Sequence, residues 1–291
     1  MRTTILWLVT ATAAMAQTLE PVKLETVCTE EEMNSFGLSC PAEEPCPIYL
    51  ELAAVEWVNT RLILAGNFHT ANITLSSIIL VSEDGGKTFT EPFPRIKMAA
   101  LDAMQFIDFE RGWISGQLVQ SYAKDPFFLL TTDGGKNWRN VPLFGESRAG
   151  SVDKFYFDSR NHGAMLMDRG TSAENGGRWG LYESMTSGAS WELKQVTVKK
   201  PEWKKSAPPS SDWRLTAVAK TKLYRVERRS GTKWEAAAEF KIEAGECKLA
   251  DRAPSLPPTE AAEEKPAEPA ASGVLVVPLT SPRKTPPKKK K

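Results

Sequence analysis

Apolar residues in this chain come in short runs closed off by glycine, asparagine, aspartate and serine. Leu62-Ile-Leu-Ala65, Ile78-Ile-Leu-Val81 and Phe127-Phe-Leu-Leu130 are examples. Runs this short, bounded by turn residues and rich in branched and aromatic side chains, predict strands. The strands fall into groups of four. The first group is Tyr49 to Val58, Arg61 to Asn67, Ser76 to Val81 and Thr88 to Glu91. The second is Leu101 to Phe109, Gly112 to Gln117, Phe127 to Thr131 and Asn137 to Val141. The third is Ser151 to Phe157, Gly163 to Asp168, Trp179 to Glu183 and Ser190 to Val196. A fourth group gives three clear strands, Trp213 to Ala219, Leu223 to Arg228 and Lys233 to Phe240, with Phe240 to Leu249 as a further candidate. The one helical signal is a short turn at Glu30 to Met33.

A hairpin sequence repeats in step with these groups. Ser82-Glu-Asp-Gly-Gly-Lys-Thr-Phe89 is followed 49 residues later by Thr131-Thr-Asp-Gly-Gly-Lys-Asn-Trp138. A worn copy, Ser184-Met-Thr-Ser-Gly-Ala-Ser-Trp191, begins 53 residues further on, and a fainter echo runs from Glu227 to Trp234. Asp-Gly between strands is a strong hairpin signal, because the turn needs positive φ and glycine supplies it without a Cβ clash. The carboxylates of Asp84 and Asp133 are placed to accept backbone N–H bonds two residues on. The hydroxyls of Ser82, Thr131 and Ser184, with that of Thr88, complete a polar clasp. Gly86, Gly135 and Gly188 hold the turn, and Phe89, Trp138 and Trp191 cover it with a large apolar face. A fixed period of this length marks a repeat architecture.

The repeated hairpin resembles the Asp box, or BNR repeat, of the sialidase-like superfamily. Phe106-Ile-Asp-Phe-Glu-Arg-Gly-Trp-Ile-Ser-Gly116 resembles the phrase that opens blades in the photosystem II assembly and stability factor family. Leu62-Ile-Leu-Ala-Gly66 stands in the same slot one repeat earlier. The likeness covers roughly residues 48–240. It implies an all-β fold, a small β-propeller of about four or five four-stranded blades, with a terminal strand completing a blade begun at the other end. It also implies that the Asp-box residues are structural and not catalytic. In the assembly-factor family an arginine-lined face contacts a membrane-protein client, and Arg61 and Arg111 occupy the matching repeat slot.

The ends of the chain change the picture of where it works. Residues 1–16 read as a secretory signal: Arg2 is the charged region, Ile5 to Ala14 the apolar one, and Ala14-Met-Ala16 the cleavage site. Residues 17–46 form a cysteine-bearing extension, 47–249 the propeller, and 250–291 a Pro-, Ala- and Lys-rich tail whose composition predicts disorder. Within the tail, Gly273 to Leu279 is an apolar island that offers an extra strand to an open sheet edge. Export allows Cys28, Cys40, Cys46 and Cys247 to oxidise. Four cysteines have three possible pairings; the preferred one is Cys28–Cys40 with Cys46–Cys247, which ties the first strand to the last.

The formal net charge is +1, and the six positives of Arg283, Lys284 and Lys288 to Lys291 leave the rest at −5. A mildly acidic body with a basic tail excludes a basic nucleic-acid-binding domain, while the tail itself suits anionic lipid or an acidic partner. Histidines are scarce, with only His69 and His162. No motif for a metal, a cofactor or a nucleophile is present. The enzyme alternative is a sialidase-like glycosidase, which needs three arginines and a Tyr–Glu couple. Phe93-Pro-Arg95-Ile96 has the wrong order for the matching motif, and no Tyr–Glu couple stands out among Tyr49, Tyr122, Tyr156, Tyr182 and Tyr224. Trp203, in the basic stretch Lys199 to Lys205, is a candidate contact for a protein or glycan. The expectation is therefore an exported, non-catalytic propeller that binds a protein, with carbohydrate binding or hydrolysis in the cell envelope as the alternative.

Overall fold

The structure is a computed structural model that describes residues 20–26, 28–41, 43–170, 177–203, 212–218, 221 and 223–247. All lie in the first of two compact units, Met1–Asp251. The expected signal segment, the C-terminal tail with its apolar island and lysine run, and most of the basic insert after Trp203 lie outside the described residues. No helix among the described residues is long and apolar enough to cross a membrane.

The elements run β1 (Val22–Lys23), α1 (Glu30–Phe36), β2 (Cys46–Pro47), β3 (Tyr49–Val58), β4 (Arg61–His69), β5 (Thr74–Ser82), β6 (Ala99–Phe106), β7 (Gly112–Val119), β8 (Ala123–Thr131) and β9 (Arg139–Pro142). They continue with β10 (Ser151–Phe157), β11 (Gly163–Asp168), β12 (Trp179–Ser184), β13 (Glu192–Thr197), β14 (Trp213–Val218), β15 (Leu223–Ser230), β16 (Lys233–Glu243) and β17 (Glu246–Cys247). The described residues are all-β apart from α1, a short helix closed by a reciprocal capping box between Thr29 and Glu32.

The strands form a small propeller of four sheets, here called blades. Blade 1 is β3-β4-β5, blade 2 is β6-β7-β8-β9, blade 3 is β10-β11-β12-β13, and blade 4 is β14-β15-β16 with β1 on its outer edge. The second and third strands of blades 1 and 2 are buried almost throughout, as their continuous apolar runs require, whereas the outermost β13 is mostly exposed. The fourth strand expected in blade 1 shrinks to one bridge, Val81 with Thr90. Pro92 and Pro94 follow at once, and proline brings no N–H to a ladder. A terminal strand does complete a blade: β1 pairs in parallel with β16, Val22 beside Ile242.

Three hydrophobic clusters hold the blades together. They lie between blades 4 and 1 around Leu62, Leu64, Val226 and Phe240, between blades 1 and 2 around Ile63, Ile79, Leu101 and Ile114, and between blades 2 and 3 around Trp113, Phe128, Phe157 and Met165. None among the described residues joins blade 3 to blade 4, so the order around the molecule is 4-1-2-3 and the blades form an arc. Side-chain amides bridge neighbouring blades where no strand can. Asn67 of β4 donates to Leu101 O (3.2 Å) and accepts from Leu101 N (2.7 Å). Gln105 of β6 does the same to Phe157, at 2.9 and 2.8 Å.

Blade 4 runs in the opposite sense to the others. Trp213, at the start of β14, stacks on Trp57 at the end of β3, with centroids 5.0 Å apart. Tyr224, just after the turn that ends β14, donates its hydroxyl to Leu50 O near the start of β3 at 2.7 Å. The first strands of blades 1 and 4 are therefore antiparallel. The Glu227–Trp234 echo accordingly forms the turn between the second and third strands of its sheet, β15 and β16. The clasp sequences, by contrast, follow third strands. The outward face of blade 4 is finished with ion pairs, Arg214–Glu227 and Arg225–Glu239, both at 2.6 Å. The far face of blade 3 is crossed by residues 198–203, where Lys200 reaches Asp153 at 2.6 Å and lies 4.9 Å over the Trp179 ring. Both ends of the arc thus present charge, which discourages further sheets from stacking there.

The cysteines correct one expectation. The disulfides are Cys28–Cys247 and Cys40–Cys46. Chain ends are tied as foreseen, but through Cys28: β1 brings the N-terminal segment alongside β16, and the antiparallel pairing of β2 with β17 sets Cys46 opposite Cys247 with Cys46 already bonded to Cys40.

Candidate functional site

The repeated hairpins occupy one face of the arc and are fully engaged in holding their own shape. In blade 1, Ser82 Oγ donates to Asp84 Oδ1 (2.8 Å) and accepts from Gly86 N (2.7 Å). Asp84 accepts from Lys87 N (3.0 Å), Thr88 N (2.9 Å) and Thr88 Oγ1 (2.7 Å). Blade 2 repeats this with Thr131, Asp133, Gly135 and Asn137, whose side-chain amide replaces the threonine hydroxyl at 2.7 Å. In blade 3, Thr186 stands where the aspartate was. It accepts from Ser190 N (2.9 Å), while Ser184 Oγ still accepts from Gly188 N (2.9 Å). Trp138 and Trp191 each turn the indole N–H back onto a hairpin carbonyl, Gly135 O (3.2 Å) and Gly188 O (3.1 Å). Phe89 meets Phe240 of blade 4 edge-on at 5.1 Å. The donors around Asp84, led by Thr88, hold its carboxyl well below the usual range. These carboxylates are tied into their own hairpins.

Arg61 and Arg111 also lie on this face, and both reach across a blade junction. Arg61 donates to Gly134 O of the next hairpin (3.2 Å) and to Glu83 (2.9 Å). Arg111 donates to Ser187 Oγ (3.0 Å) and Arg160 O (3.3 Å). Arg95 is tied elsewhere, paired with Glu91 and stacked 4.5 Å over Phe68. Arg61, Arg95 and Arg111 are thus each held by different partners. Trp203 is half-buried at the end of the segment that crosses blade 3.

The opposite face carries a cleft at each blade junction. Between blades 4 and 1 lies an apolar cleft of about 790 Å³, lined by Ile48, Leu50, Val218, Leu223, Tyr224 and Ile242. Between blades 1 and 2 lies a polar one of about 660 Å³, whose walls include Glu51, Asn67, His69, Asn72 and Asp102. Between blades 2 and 3 lies a third of about 460 Å³, bordered by Tyr122, Ser151, Asp168 and Arg178. Two exposed tyrosines stand beside these openings: Tyr122 is 60% exposed, and Tyr49, 48% exposed, stacks on His69 at 5.6 Å. Large aromatic surfaces left open between concavities are the usual anchors of recognition sites.

The central cleft owes its acidity to a backbone irregularity. Each first strand of the clasp-bearing blades carries a bulge at the same place, between Leu52 and Ala54, Leu101 and Ala103, and Val152 and Lys154. A bulge re-aims a side chain, and here the extra residues are Ala53, Asp102 and Asp153. Asp102 faces Glu51 across the cleft. Its carboxyl is held above the usual range by partial loss of solvent and by the charge of Glu51, against a hydrogen bond from Gln117. Burial, helped by Glu51, likewise raises Tyr224.

No protein-family model matches the chain, and no curated protein matches it. Among solved structures it is similar to YCF48 bound to a D1 peptide, with 17% identity, 68% of this chain and 60% of that one covered, and a TM-score of 0.36. It is similar to YCF48 from Cyanidioschyzon merolae, with 14% identity, coverages of 65% and 59%, and a TM-score of 0.35. It is also similar to an α-L-arabinanase of Penicillium chrysogenum complexed with arabinobiose, with 11% identity, coverages of 68% and 63%, and a TM-score of 0.37. In each case the chain spans less than two thirds of its neighbour's length.

Proposed function

We propose that this is an exported, non-catalytic β-propeller that acts as a protein-binding scaffold, an assembly factor for a complex of the cell envelope or membrane. Its clasp hairpins are read as Asp boxes whose work is structural. The partner lies along the face opposite them, in extended form, with segments in successive junction clefts and its apolar groups against Tyr49 and Tyr122. The observation that carries this reading is the row of clefts at successive junctions, flanked by exposed aromatic rings, on the face that clasp formation leaves free. Arg61 and Arg111, expected as partner contacts, act in this proposal from the clasp face, supporting the cleft surface from behind by fixing the blade angles.

The test is affinity capture from the protein's own cells, comparing the wild-type chain with a Tyr49→Ala/Tyr122→Ala variant. One stoichiometric polypeptide retained by the wild type and lost by the variant is the expected result. Retention of polysaccharide alone rejects it. Carbohydrate binding is the second reading, favoured by one specific feature: carboxylates and an aromatic ring share the central cleft, as they do in sugar sites.

A further inference from the structure

We propose that the central cleft is a socket for one cationic side chain, a lysine or arginine of the bound polypeptide, held between Glu51 and Asp102. This deepens the scaffold reading and rests on it.

The cleft brings two carboxylates together without a cation. Several half-buried acids of this protein are matched: Asp153 by Lys200, Asp168 by Arg178, Asp108 by Arg160 and Glu32 by Lys97. Among the described residues, Glu51 and Asp102 have no ion-pair partner, although the charge of Glu51 lies close enough to disfavour ionisation of Asp102. Two like charges set together on one cleft wall are stabilised by a cation between them.

Gln117 is the independent sign that a donor is expected. It is 7% exposed, and its side-chain oxygen is buried without a hydrogen-bond partner. Gln117 pairs with Ala100 across the β6–β7 ladder, so its side chain lies on the Ala100 side of the sheet, and Ala100 lines the cleft. Its carboxamide hydrogen-bonds Asp102. Asn67 occupies the same slot one repeat earlier and uses both of its amide atoms on Leu101. Gln117 therefore leaves an acceptor idle beside two carboxylates. A buried acceptor without a donor is destabilising, and an ammonium or guanidinium group brings about three to five N–H donors. Among the described residues no group of three or more His, Cys, Asp or Glu is gathered to hold a metal ion. Beside the socket, the Tyr49–His69 stack offers an aromatic face to the aliphatic stem of the incoming chain.

The test is an NMR titration of the isotopically labelled full chain with N-acetyl-arginine amide, N-acetyl-lysine amide and the neutral isostere N-acetyl-citrulline amide. The cationic probes are expected to shift the amides of residues 51–53, 67–74 and 100–102. Citrulline is expected to bind at least about tenfold more weakly, the fold-change for loss of one charge-assisted contact. Glu51→Gln/Asp102→Asn, which keeps the shape of the wall, is expected to weaken the cations by the same factor while the rest of the spectrum stays unchanged. Equal shifts from arginine and citrulline, unaltered binding by the double variant, or no shift from any probe overturns the socket. In those cases the scaffold reading still stands if capture through Tyr49 and Tyr122 holds. If a neutral oligosaccharide shifts these amides and the cations do not, both are overturned.

Discussion

Removing the Cys28–Cys247 bond is expected to cost far more than removing Cys40–Cys46, and the difference follows from chain length. The first pair closes a sequence separation of 219 residues and the second one of 6. In the chain-entropy description a cross-link stabilises by narrowing the unfolded ensemble, with a contribution that grows as the logarithm of the loop. Near room temperature this gives about 5 kcal/mol for the long loop and about 2 kcal/mol for the short one. The long bond also holds the segment that carries β1 against β16, whose hydrogen bond from Leu24 N to Glu243 O is 3.0 Å. The comparison is between Cys28→Ser/Cys247→Ser and Cys40→Ser/Cys46→Ser in urea unfolding followed by tryptophan fluorescence. Blade 4 carries Trp213 and Trp234 and reports its own release. The first variant is expected to lose at least about twice as much stability as the second. Equal losses, or a larger loss for the short pair, would refute the reasoning. A non-reducing digest linking Cys28 to Cys40 would refute the pairing itself.

Other perturbations probe the junctions and clasps. Asn67→Leu leaves Leu101 N and O without partners inside the blade 1–blade 2 core and is expected to destabilise by about 2–3 kcal/mol in the same assay. Tyr224→Phe removes only the 2.7 Å bond to Leu50 O and is expected to cost about 1 kcal/mol, with faster amide exchange confined to the blade 4–blade 1 junction. The folded-state pKa of Asp133 is depressed by bonds from Asn137, Thr131 and Lys136, which outweigh its partial burial. Its contribution is therefore present above the unfolded carboxylate pKa of about 4 and is lost as pH falls through the folded value. Asp133→Asn is expected to flatten that acid limb of the stability curve, as measured by thermal unfolding at a series of pH values.

Much of the architecture is written in local pattern. Strand positions follow from apolar runs such as Leu62 to Ala65, and the clasps from Asp-Gly turns whose geometry is set within eight residues. The sense of blade 4 is not written there. Trp213 to Ala217 reads equally well as a first strand running either way, and what fixes it is Trp213 meeting Trp57 and Tyr224 meeting Leu50, contacts between residues more than 150 positions apart. The same holds for the disulfides, where four cysteines leave three pairings open and only the docking of β1 on β16 selects one. Asp102 is not marked by its local sequence, because its meeting with Glu51 is a contact between neighbouring blades, made beside the bulge between Leu101 and Ala103. One signal was available: Asn67 and Gln117 share a repeat slot, and a buried amide recurring at fixed spacing marks a polar junction worth inspecting. Arg61 and Arg111 share a slot for a nearer reason, since each reaches the hairpin of the next blade.

The central claim, that a polypeptide partner lies on the face opposite the clasps, is tested most directly by site-specific photo-crosslinking in the protein's own cells. A photoreactive residue at Tyr49 or Tyr122 samples the cleft face, and one at Phe109 or Met185, both exposed, samples the clasp face. The account predicts one discrete polypeptide adduct from positions 49 and 122 and none from 109 and 185. Adducts from the clasp face alone, or no polypeptide adduct from the cleft face, would contradict it.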